Sequence, residues 1–278
     1  MMIQDIGNHI FHNEFDNKEV TEDDIVFVFY GNQILCKLGD NKELILPTFK
    51  QLNREKEEVV FAFHIDEKPY FLLRDWDGVL LDGFTYQSVE ILRNVTPKHG
   101  AFAGFCAYHL SCWYRDTKFC GRCGHTLVPD TKERMMFCPE CKNMIYPRIN
   151  PVIIVGVTWG DKIIMTKYNG RSYKDYALIA GFTEFGETIE QTVEREVLEE
   201  VGLKVKNIRF YKSQPWGFSS SLLMGFFADV DGDKHISLEE EELSYGGWFK
   251  RDEIDLPPDD VSLTREMILA FANGTEPK

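Results

Sequence analysis

The feature that most constrains the fold is a segment from Glu187 to Glu200, in which six glutamates and one arginine stand among fourteen residues. A solvated helix usually mixes charges of opposite sign at i and i+4, and this segment does not. Glu196, Glu199 and Glu200 stand at i, i+3 and i+4, so a helix would place them on one face. Clustered carboxylates repel unless cations lie among them, and their oxygens suit Mg²⁺ or Mn²⁺. The pattern predicts a metal-binding helix, with an acidic surface helix as the alternative.

The residues around this segment predict how the helix begins, ends and packs. Gly181 and Gly186 permit a tight loop before the helix, and Gly202 is placed as its C-terminal cap. Arg195 lies eight residues after Glu187, and we expect a salt bridge between them that ties the loop to the helix. An apolar face recurs every four residues, at Ile189, Val193, Val197 and Val201.

Four of the seven cysteines form two C-x-x-C pairs, separated by fourteen residues. Two residues between thiolates let both reach one tetrahedral ion, and a second pair completes the four ligands. A closed four-thiolate site has no open coordination position, so the pattern predicts structural Zn²⁺ without a catalytic role. The alternatives are a redox C-x-x-C and a ribbon that touches nucleic acid. The predicted zinc ligands are Cys120, Cys123, Cys138 and Cys141.

The charge and composition exclude several classes of protein. The 278 residues include 31 basic and 45 acidic side chains, a formal net charge of −14. Such a balance argues against broad binding to nucleic acid backbone or anionic lipid, both of which need a cationic face. The chain has no apolar run of about 18 residues and no signal-like start, so we expect no membrane partner. With cysteines arranged for metal rather than for disulfides, we expect a soluble cytoplasmic protein.

Hydrophobic patterns divide the chain into three predicted domains. Residues 1–117 form an N-terminal α/β domain, residues 118–143 a compact zinc ribbon and residues 144–278 a mixed α/β domain. The predicted strands cover 24–30, 59–64, 70–73, 152–157, 163–166, 208–213 and 222–230, and the predicted helices cover 100–113, 188–201 and 262–272.

The segment from Gly181 to Leu203 matches every fixed position of the Nudix box, G-x5-E-x7-R-E-U-x-E-E-x-G-U, where U is a bulky aliphatic residue. The chain therefore resembles the Nudix hydrolases, which cleave a nucleoside diphosphate linked to another moiety. The resemblance implies a Nudix α/β/α sandwich over 144–278. It also implies catalytic roles for Glu187 and Arg195, and metal binding by Glu196, Glu199 and Glu200.

A second motif narrows the resemblance. Residues 213–221, S-Q-P-W-G-F-S-S-S, resemble the S-Q-P-W-P-F-P-x-S signature of the NADH pyrophosphatases, which also carry a four-cysteine ribbon and a separate N-terminal domain. Gly217 and Ser219 stand where the signature has proline, which loosens this loop. The resemblance implies hydrolysis of NADH and NAD⁺ to AMP and nicotinamide mononucleotide, by a homodimer whose N-terminal domain supports the dimer. The substrate-binding candidates are Tyr146, Phe182, Gln214, Trp216, Phe218 and Ser221.

Individual roles follow from the same resemblance. Tyr146 and Phe182 are candidates for stacking on nicotinamide, whereas Trp216 and Phe218 either line the cleft or pack in the core. Glu242 aligns with the family's E-x5-W-[FY] stretch and is a further catalytic or metal-binding carboxylate. Either Glu200 or Glu242 would accept the proton of the attacking water.

Three other readings of the same box remain open. One is an ADP-ribose hydrolase. The second is a hydrolase of NAD joined to the 5′ end of RNA, which would need a basic path out of the cleft. The third is a binding module that has lost catalysis. The candidates for the basic path are Arg148, Lys167, Arg171 and Lys174.

Overall fold

The computed structural model describes residues 2–75, 78, 80–170, 175–257, 259 and 261–278. These residues form two compact units. The N-terminal unit comprises Ile3–Arg148 and the short segment Gly217–Ser220. The C-terminal unit comprises Ile149–Trp216 and Ser221–Lys278, together with Met2. Within the described ranges, no helix has the length and apolar character needed to cross a membrane.

Ahead of the zinc ribbon, the described residues of the N-terminal unit form two small sheets and one long helix. One sheet has the order β1-β6-β7-β2, in which β6 and β7 form the predicted antiparallel hairpin. The other joins β3, β4 and β5, with β8 also paired to β4. The predicted helix over 100–113 lies inside α2. The elements are β1 Phe11–His12, β2 Ile25–Phe27, β3 Phe29–Tyr30, β4 Gln33–Leu38, β5 Leu44–Ile45, α1 Phe49–Leu52, β6 Val59–Ile65, β7 Lys68–Leu73, β8 Thr85–Ser88 and α2 Lys98–Asp116.

The predicted single strand over 24–30 is two strands in different sheets. β2 pairs in parallel with β7, whereas β3 pairs with β4, and the chain changes sheet at Val28. Both sides of this apolar run are buried, with Phe27 and Val28 each fully inaccessible to solvent. The change of sheet therefore accompanies burial of residues 26–29, whereas Tyr30 at the end of the run remains 50% exposed.

The zinc ribbon lies in the N-terminal unit as a three-stranded antiparallel sheet of order β11-β10-β9. Its strands are β9 Val128–Pro129, β10 Met136–Phe137 and β11 Met144–Ile145.

The C-terminal unit is a six-stranded mixed sheet with one helix on each face, which confirms the predicted α/β/α architecture. The strand order is β15-β16-β12-β13-β17, with β14 paired to β12. Val193, Val197 and Val201 of α3 are buried in the core on one face, and α4 packs on the other. The elements are β12 Asn150–Trp159, β13 Lys162–Tyr168, β14 Ile179–Phe182, α3 Ile189–Val201, β15 Lys204–Trp216, β16 Ser221–Asp231, β17 Leu243–Lys250 and α4 Leu263–Ala272.

Candidate active site and zinc site

The four cysteines of the ribbon converge on one point. All four Sγ atoms lie within 4.8 Å of one another, and the Cys120–Cys141 and Cys123–Cys138 pairs are 3.5 Å apart. Four sulfurs about 2.3 Å from a tetrahedral zinc ion are separated by about 3.8 Å, so the geometry fits Zn²⁺. The chemistry of the donors fits as well, because four thiolates prefer zinc to a hard cation.

Two matching backbone turns bring the sulfurs together. In the first, the Cys120 N–H donates to the His125 carbonyl at 2.8 Å; in the second, the Cys138 N–H donates to that of Asn143 at 2.9 Å. The residue after the second cysteine of each pair is left-handed: Gly124 has φ +77° and Lys142 has φ +60°. The ribbon therefore contains one turn built twice.

The carboxylate helix begins and ends as its sequence predicts. Thr188 is the N-cap, and its hydroxyl accepts from the Gln191 N–H at 3.2 Å. The Gln191 side chain in turn accepts from the Thr188 N–H at 2.8 Å, which completes a capping box. At the other end Gly202 has φ +71°, and its N–H donates to the Leu198 carbonyl. These caps fix the register of the glutamates.

Arg195 connects the carboxylates of the loop and the helix. The predicted salt bridge is present: Nε lies 2.6 Å from Glu187 Oε1, and Nη2 lies 3.0 Å from Oε2. Nη1 donates to both Glu196 (2.8 Å) and Glu199 (2.9 Å). Hydrogen bonding by Arg195, reinforced by the Glu184 N–H, lowers the pKa of Glu187 to about 2. One guanidinium thus orients three carboxylates.

Glu196 occupies a space that only glycine leaves open. A Cβ built on Gly181 would lie 1.9 Å from the Glu196 carboxyl carbon, so any side chain at 181 would displace this carboxylate. Burial raises the pKa of Glu196 above its usual value, and the charges of Glu199 and Glu242 act in the same direction. Sequence reasoning assigned Gly181 to a tight loop and missed this role, for which the first glycine of the box is the signal.

Glu200 and Glu242 complete the group of carboxylates. Glu200 is only 3% exposed, and its Oε1 accepts from the Ala180 N–H at 3.4 Å. The loop that carries Glu242 is fixed by the Glu239 N–H, which donates to the Glu200 carbonyl at 3.0 Å. The Asn169 N–H donates to the Glu242 carbonyl at 2.8 Å, a contact that sequence reasoning also missed.

The oxygen donors suit a hard divalent cation such as Mg²⁺ or Mn²⁺. Among the residues that the structure describes, however, the four cysteines are the one group of three or more potential ligands whose atoms lie within 4.8 Å of one another. The carboxylate oxygens are farther apart than this, and Arg195 pairs with Glu196 and Glu199. They are gathered on one helix face and the loops beside it, as a divalent metal site requires, with the arginine between two of them.

The substrate-binding candidates differ in what their side chains do. Phe182, in the C-terminal unit, is 54% exposed. Tyr146, in the N-terminal unit, is 52% exposed and donates its hydroxyl to Glu133 at 2.7 Å. Gln214 is fully buried, and its amide binds the start of α4. Ser221 is buried, and Trp216 is half-buried.

Phe218 lies in the N-terminal unit, where its ring centroid is 4.3 Å from that of Phe105 and 6.2 Å from that of Tyr108. These contacts are the core-packing alternative that the sequence left open for this residue.

The predicted basic path is only partly visible. Lys167 is the penultimate residue of β13, and its Nζ lies 4.4 Å from the centre of the Tyr176 ring. The Arg148 carbonyl oxygen accepts a hydrogen bond from His109 Nε2 at 2.9 Å. Arg171 and Lys174 lie outside the described residues.

Three features on an α/β/α sandwich are those of a Nudix domain. They are Gly181 against the Glu196 carboxylate, Arg195 bound to three carboxylates, and the capped carboxylate helix. Residues 147–271 match the NUDIX domain family, and residues 115–146 match the NADH pyrophosphatase zinc ribbon domain. Together these matches cover more than half of the chain. The chain thus carries a domain that matches the Nudix family, preceded by a zinc ribbon of the NADH pyrophosphatase type.

The chain is also similar to individual proteins. The chain is 41% identical over 159 residues to the NAD-capped RNA hydrolase NudC of Citrobacter koseri, covering 57% of this chain and 62% of the relative. It is 42% identical over 159 residues to the protein of the same name from Pectobacterium atrosepticum, covering 57% and 61%. The matched region thus spans less than two thirds of these relatives. A solved NUDIX hydrolase from Nitrosomonas europaea is 22% identical, covering 55% of this chain and 90% of that one, with a TM-score of 0.48.

Proposed function

We propose that the protein hydrolyses the pyrophosphate bond of NADH and NAD⁺, giving AMP and nicotinamide mononucleotide. The observation that carries the proposal is the set of carboxylates that Arg195 and the Gly181 cradle hold on one helix face. The zinc ribbon of the NADH pyrophosphatase type and the relatives named for hydrolysis of an NAD cap support the choice of dinucleotide.

The mechanism follows from what each side chain can do. Glu196, Glu199, Glu200 and Glu242 would hold Mg²⁺ or Mn²⁺, which when bound neutralises charge on the pyrophosphate and activates water for in-line attack on phosphorus. Arg195 orients Glu196 and Glu199. A glutamate accepts the proton of the attacking water, and Glu200 or Glu242 is proposed for this step.

Ring recognition is proposed for the exposed aromatic side chains. Phe182 presents about half of its surface to solvent and is proposed to stack on nicotinamide. Tyr146, which is exposed to the same extent, is the other candidate for this role. Trp216 is proposed as a further wall of the pocket. Gln214 and Ser221, which are buried, are proposed to hold the segment 213–221 in place from the core side.

The second candidate substrate is NAD-capped RNA, which the names of the relatives favour. The bond that breaks is the same, so the carboxylates act identically. ADP-ribose is the third candidate for the same reason. Lys167 is the penultimate residue of β13 and stands two residues before Asn169, whose N–H donates to the Glu242 carbonyl. Lys167 is proposed to meet RNA phosphates.

We also propose a cytoplasmic homodimer. A four-thiolate zinc site needs reduced cysteines, which supports a reducing compartment. The dimer is proposed by family resemblance.

The first test measures turnover of NADH with Mg²⁺ or Mn²⁺ by the unmodified protein and by Glu196→Gln combined with Glu200→Gln. We expect the double variant to lose at least about 100-fold in kcat, because two proposed metal ligands become neutral. Glu194→Gln is the matched control, since Glu194 is an exposed glutamate of the same helix. Turnover by the double variant equal to that of the control would contradict the proposal.

The same assay with NADH, NAD⁺, ADP-ribose and NAD-capped RNA ranks the substrates. Preference for the reduced dinucleotide is expected as a higher kcat/KM for NADH than for the other three. Comparable values for all four would leave the hydrolysis intact and overturn the preference.

A further inference from the structure

The connection between β15 and β16, residues Gly217–Ser220, belongs by its contacts to the N-terminal unit. Gly217 lies directly against the backbone of α2. A Cβ at this position would lie 2.3 Å from the Phe105 carbonyl oxygen and 3.1 Å from its carbonyl carbon. The obstacle is helix backbone, which cannot rotate aside as a flexible side chain could. Any other residue at 217 would have to push the connection away from α2.

Phe218 adds a second contact with the same helix. Its ring packs at 4.3 Å from Phe105 and 6.2 Å from Tyr108, and the guanidinium of Arg93 lies 4.8 Å from its centre. Aromatic rings at these separations attract one another, and an arginine near a ring adds a cation–π contact. Phe218 is therefore engaged by protein neighbours on several sides and is not a free surface for a ligand ring.

The strand before the connection is fixed by a different contact. The Gln214 amide nitrogen donates to the Val261 carbonyl at 2.6 Å, and its oxygen accepts from the Leu263 N–H at 2.8 Å. Trp216 stands two residues after Gln214 and two before Phe218. Gln214 and Trp216 lie on the same side of β15, whereas Phe218 lies in the 3-10 turn Gly217–Ser219 that follows the strand. The backbone of Trp216 is thus flanked by fixed residues on both sides.

We propose that α2 is a positioning element for the dinucleotide pocket, acting through Gly217 and Phe218 to fix the indole of Trp216. A proline at 217, as in the signature, would place its Cβ 2.3 Å from the Phe105 carbonyl oxygen. Phe105, Gly217 and Phe218 are positioning residues that do not touch the substrate. This inference rests on the proposed function, in which Trp216 forms a wall of the pocket for a dinucleotide.

The primary test compares Gly217→Ala with Gly100→Ala. Gly217 is buried against α2, and Gly100 is a half-buried residue of α2 itself. A Cβ at Gly100 would meet only Pro97 ring atoms at 3.7 and 3.9 Å, which is an ordinary contact. We expect Gly217→Ala to raise KM for NADH about tenfold and to leave kcat within about twofold, because substrate positioning is altered and the carboxylates are not. Gly100→Ala should match the unmodified protein. A KM for Gly217→Ala equal to that of Gly100→Ala overturns the inference.

Phe218→Ala tests the same idea without a steric clash, in case Gly217→Ala does not fold. We expect KM to rise as for Gly217→Ala, and Phe218→Leu to recover most of the loss because it restores apolar contact with Phe105. In a Trp216→Ala background, Phe218→Ala should add little, since both act through one indole. A lower melting temperature with an unchanged KM would mean that the connection is merely structural, and would overturn the inference.

Calorimetric binding of NAD⁺ without divalent metal gives a second readout that does not need turnover. The Kd should rise in Gly217→Ala and Phe218→Ala by the same factor as KM. If the unmodified protein binds NAD⁺ and the variants weaken binding while none hydrolyses it, the proposed function fails and the positioning role stands. If the unmodified protein hydrolyses NADH and the variants keep its KM and Kd, only the positioning role fails.

Discussion

The two metal-binding regions of the chain are organised in opposite ways. The ribbon brings four sulfurs within 4.8 Å by two copies of one backbone turn, each encoded in a few consecutive residues. The carboxylate region draws on β14, the loop after it, α3 and the loop of Glu242, and its side chains are held by Arg195. The zinc site is closed within one short segment, whereas the carboxylate region also draws on a loop from farther along the chain, that of Glu242.

The zinc ribbon and the carboxylate region also differ in how their negative charge is balanced. Four thiolates around one Zn²⁺ form a closed set with no coordination position left. In the carboxylate region one guanidinium faces Glu187, Glu196 and Glu199, with Glu200 and Glu242 in addition. Negative charge therefore remains in excess there, and divalent cations would offset it.

The largest expected effect is that of breaking the ribbon. Cys138→Ser removes a fully buried ligand, and we expect loss of the single bound zinc and a melting temperature lower by roughly 10 °C. Zinc content by atomic absorption and thermal unfolding measure the two outcomes. Cys36→Ala is the matched control, because this buried thiol lies outside the quartet and its loss should leave the zinc content unchanged. Full zinc content in Cys138→Ser would contradict the four-sulfur site.

The next largest effect is expected from a substitution that disrupts the carboxylate region and leaves the ribbon intact. Gly181→Ala places a Cβ where the Glu196 carboxylate lies, and we expect kcat to fall about 100-fold with zinc content unchanged. Steady-state kinetics with saturating metal ion measure the change. In a Glu196→Ala background the clash disappears, so Gly181→Ala should cost little more. Additive losses in the double variant would show that Gly181 acts on something other than Glu196.

The same comparison explains which parts of the molecule could be predicted from sequence. The ribbon and the box are each encoded within a short segment, so spacing alone indicated the zinc ligands, the carboxylate face and the Arg195–Glu187 salt bridge. The helix caps at Thr188 and Gly202 were predictable for the same reason, since a cap depends on its nearest neighbours.

The packing of residues 213–221 could not be predicted in this way. Gln214 binds the Leu263 N–H, and Gly217 meets the Phe105 backbone, so both roles depend on partners far away in the sequence. Glutamine and glycine occur both at the surface and in the core, and no periodic pattern in the sequence indicates which distant residue each one contacts. The pattern at 24–30 was likewise continuous although the chain changes sheet within it, because burial on both sides looks the same whether one sheet or two provide it.

The smallest expected effect distinguishes how the two turns of the ribbon are stabilised. Gly124 and Lys142 occupy equivalent left-handed positions, which glycine adopts freely and a residue with a Cβ adopts at a cost. We expect Gly124→Ala to lower the free energy of unfolding of the zinc-loaded protein by about 1 kcal/mol. Lys142→Gly should change it by less than about 0.5 kcal/mol, because relief at the backbone is offset by greater freedom of the unfolded chain. It also loses the hydrogen bond from Lys142 Nζ to the Pro139 carbonyl at 2.6 Å.

Denaturant unfolding of the zinc-loaded variants measures both changes on one scale. Equal losses in Gly124→Ala and Lys142→Gly would mean that the lysine side chain, and not the backbone conformation, holds the second turn. The two turns would then be equivalent in shape but stabilised by different interactions. A loss confined to Gly124→Ala would instead mean that backbone geometry alone shapes both halves of the zinc site, in contrast to the side-chain network around Arg195.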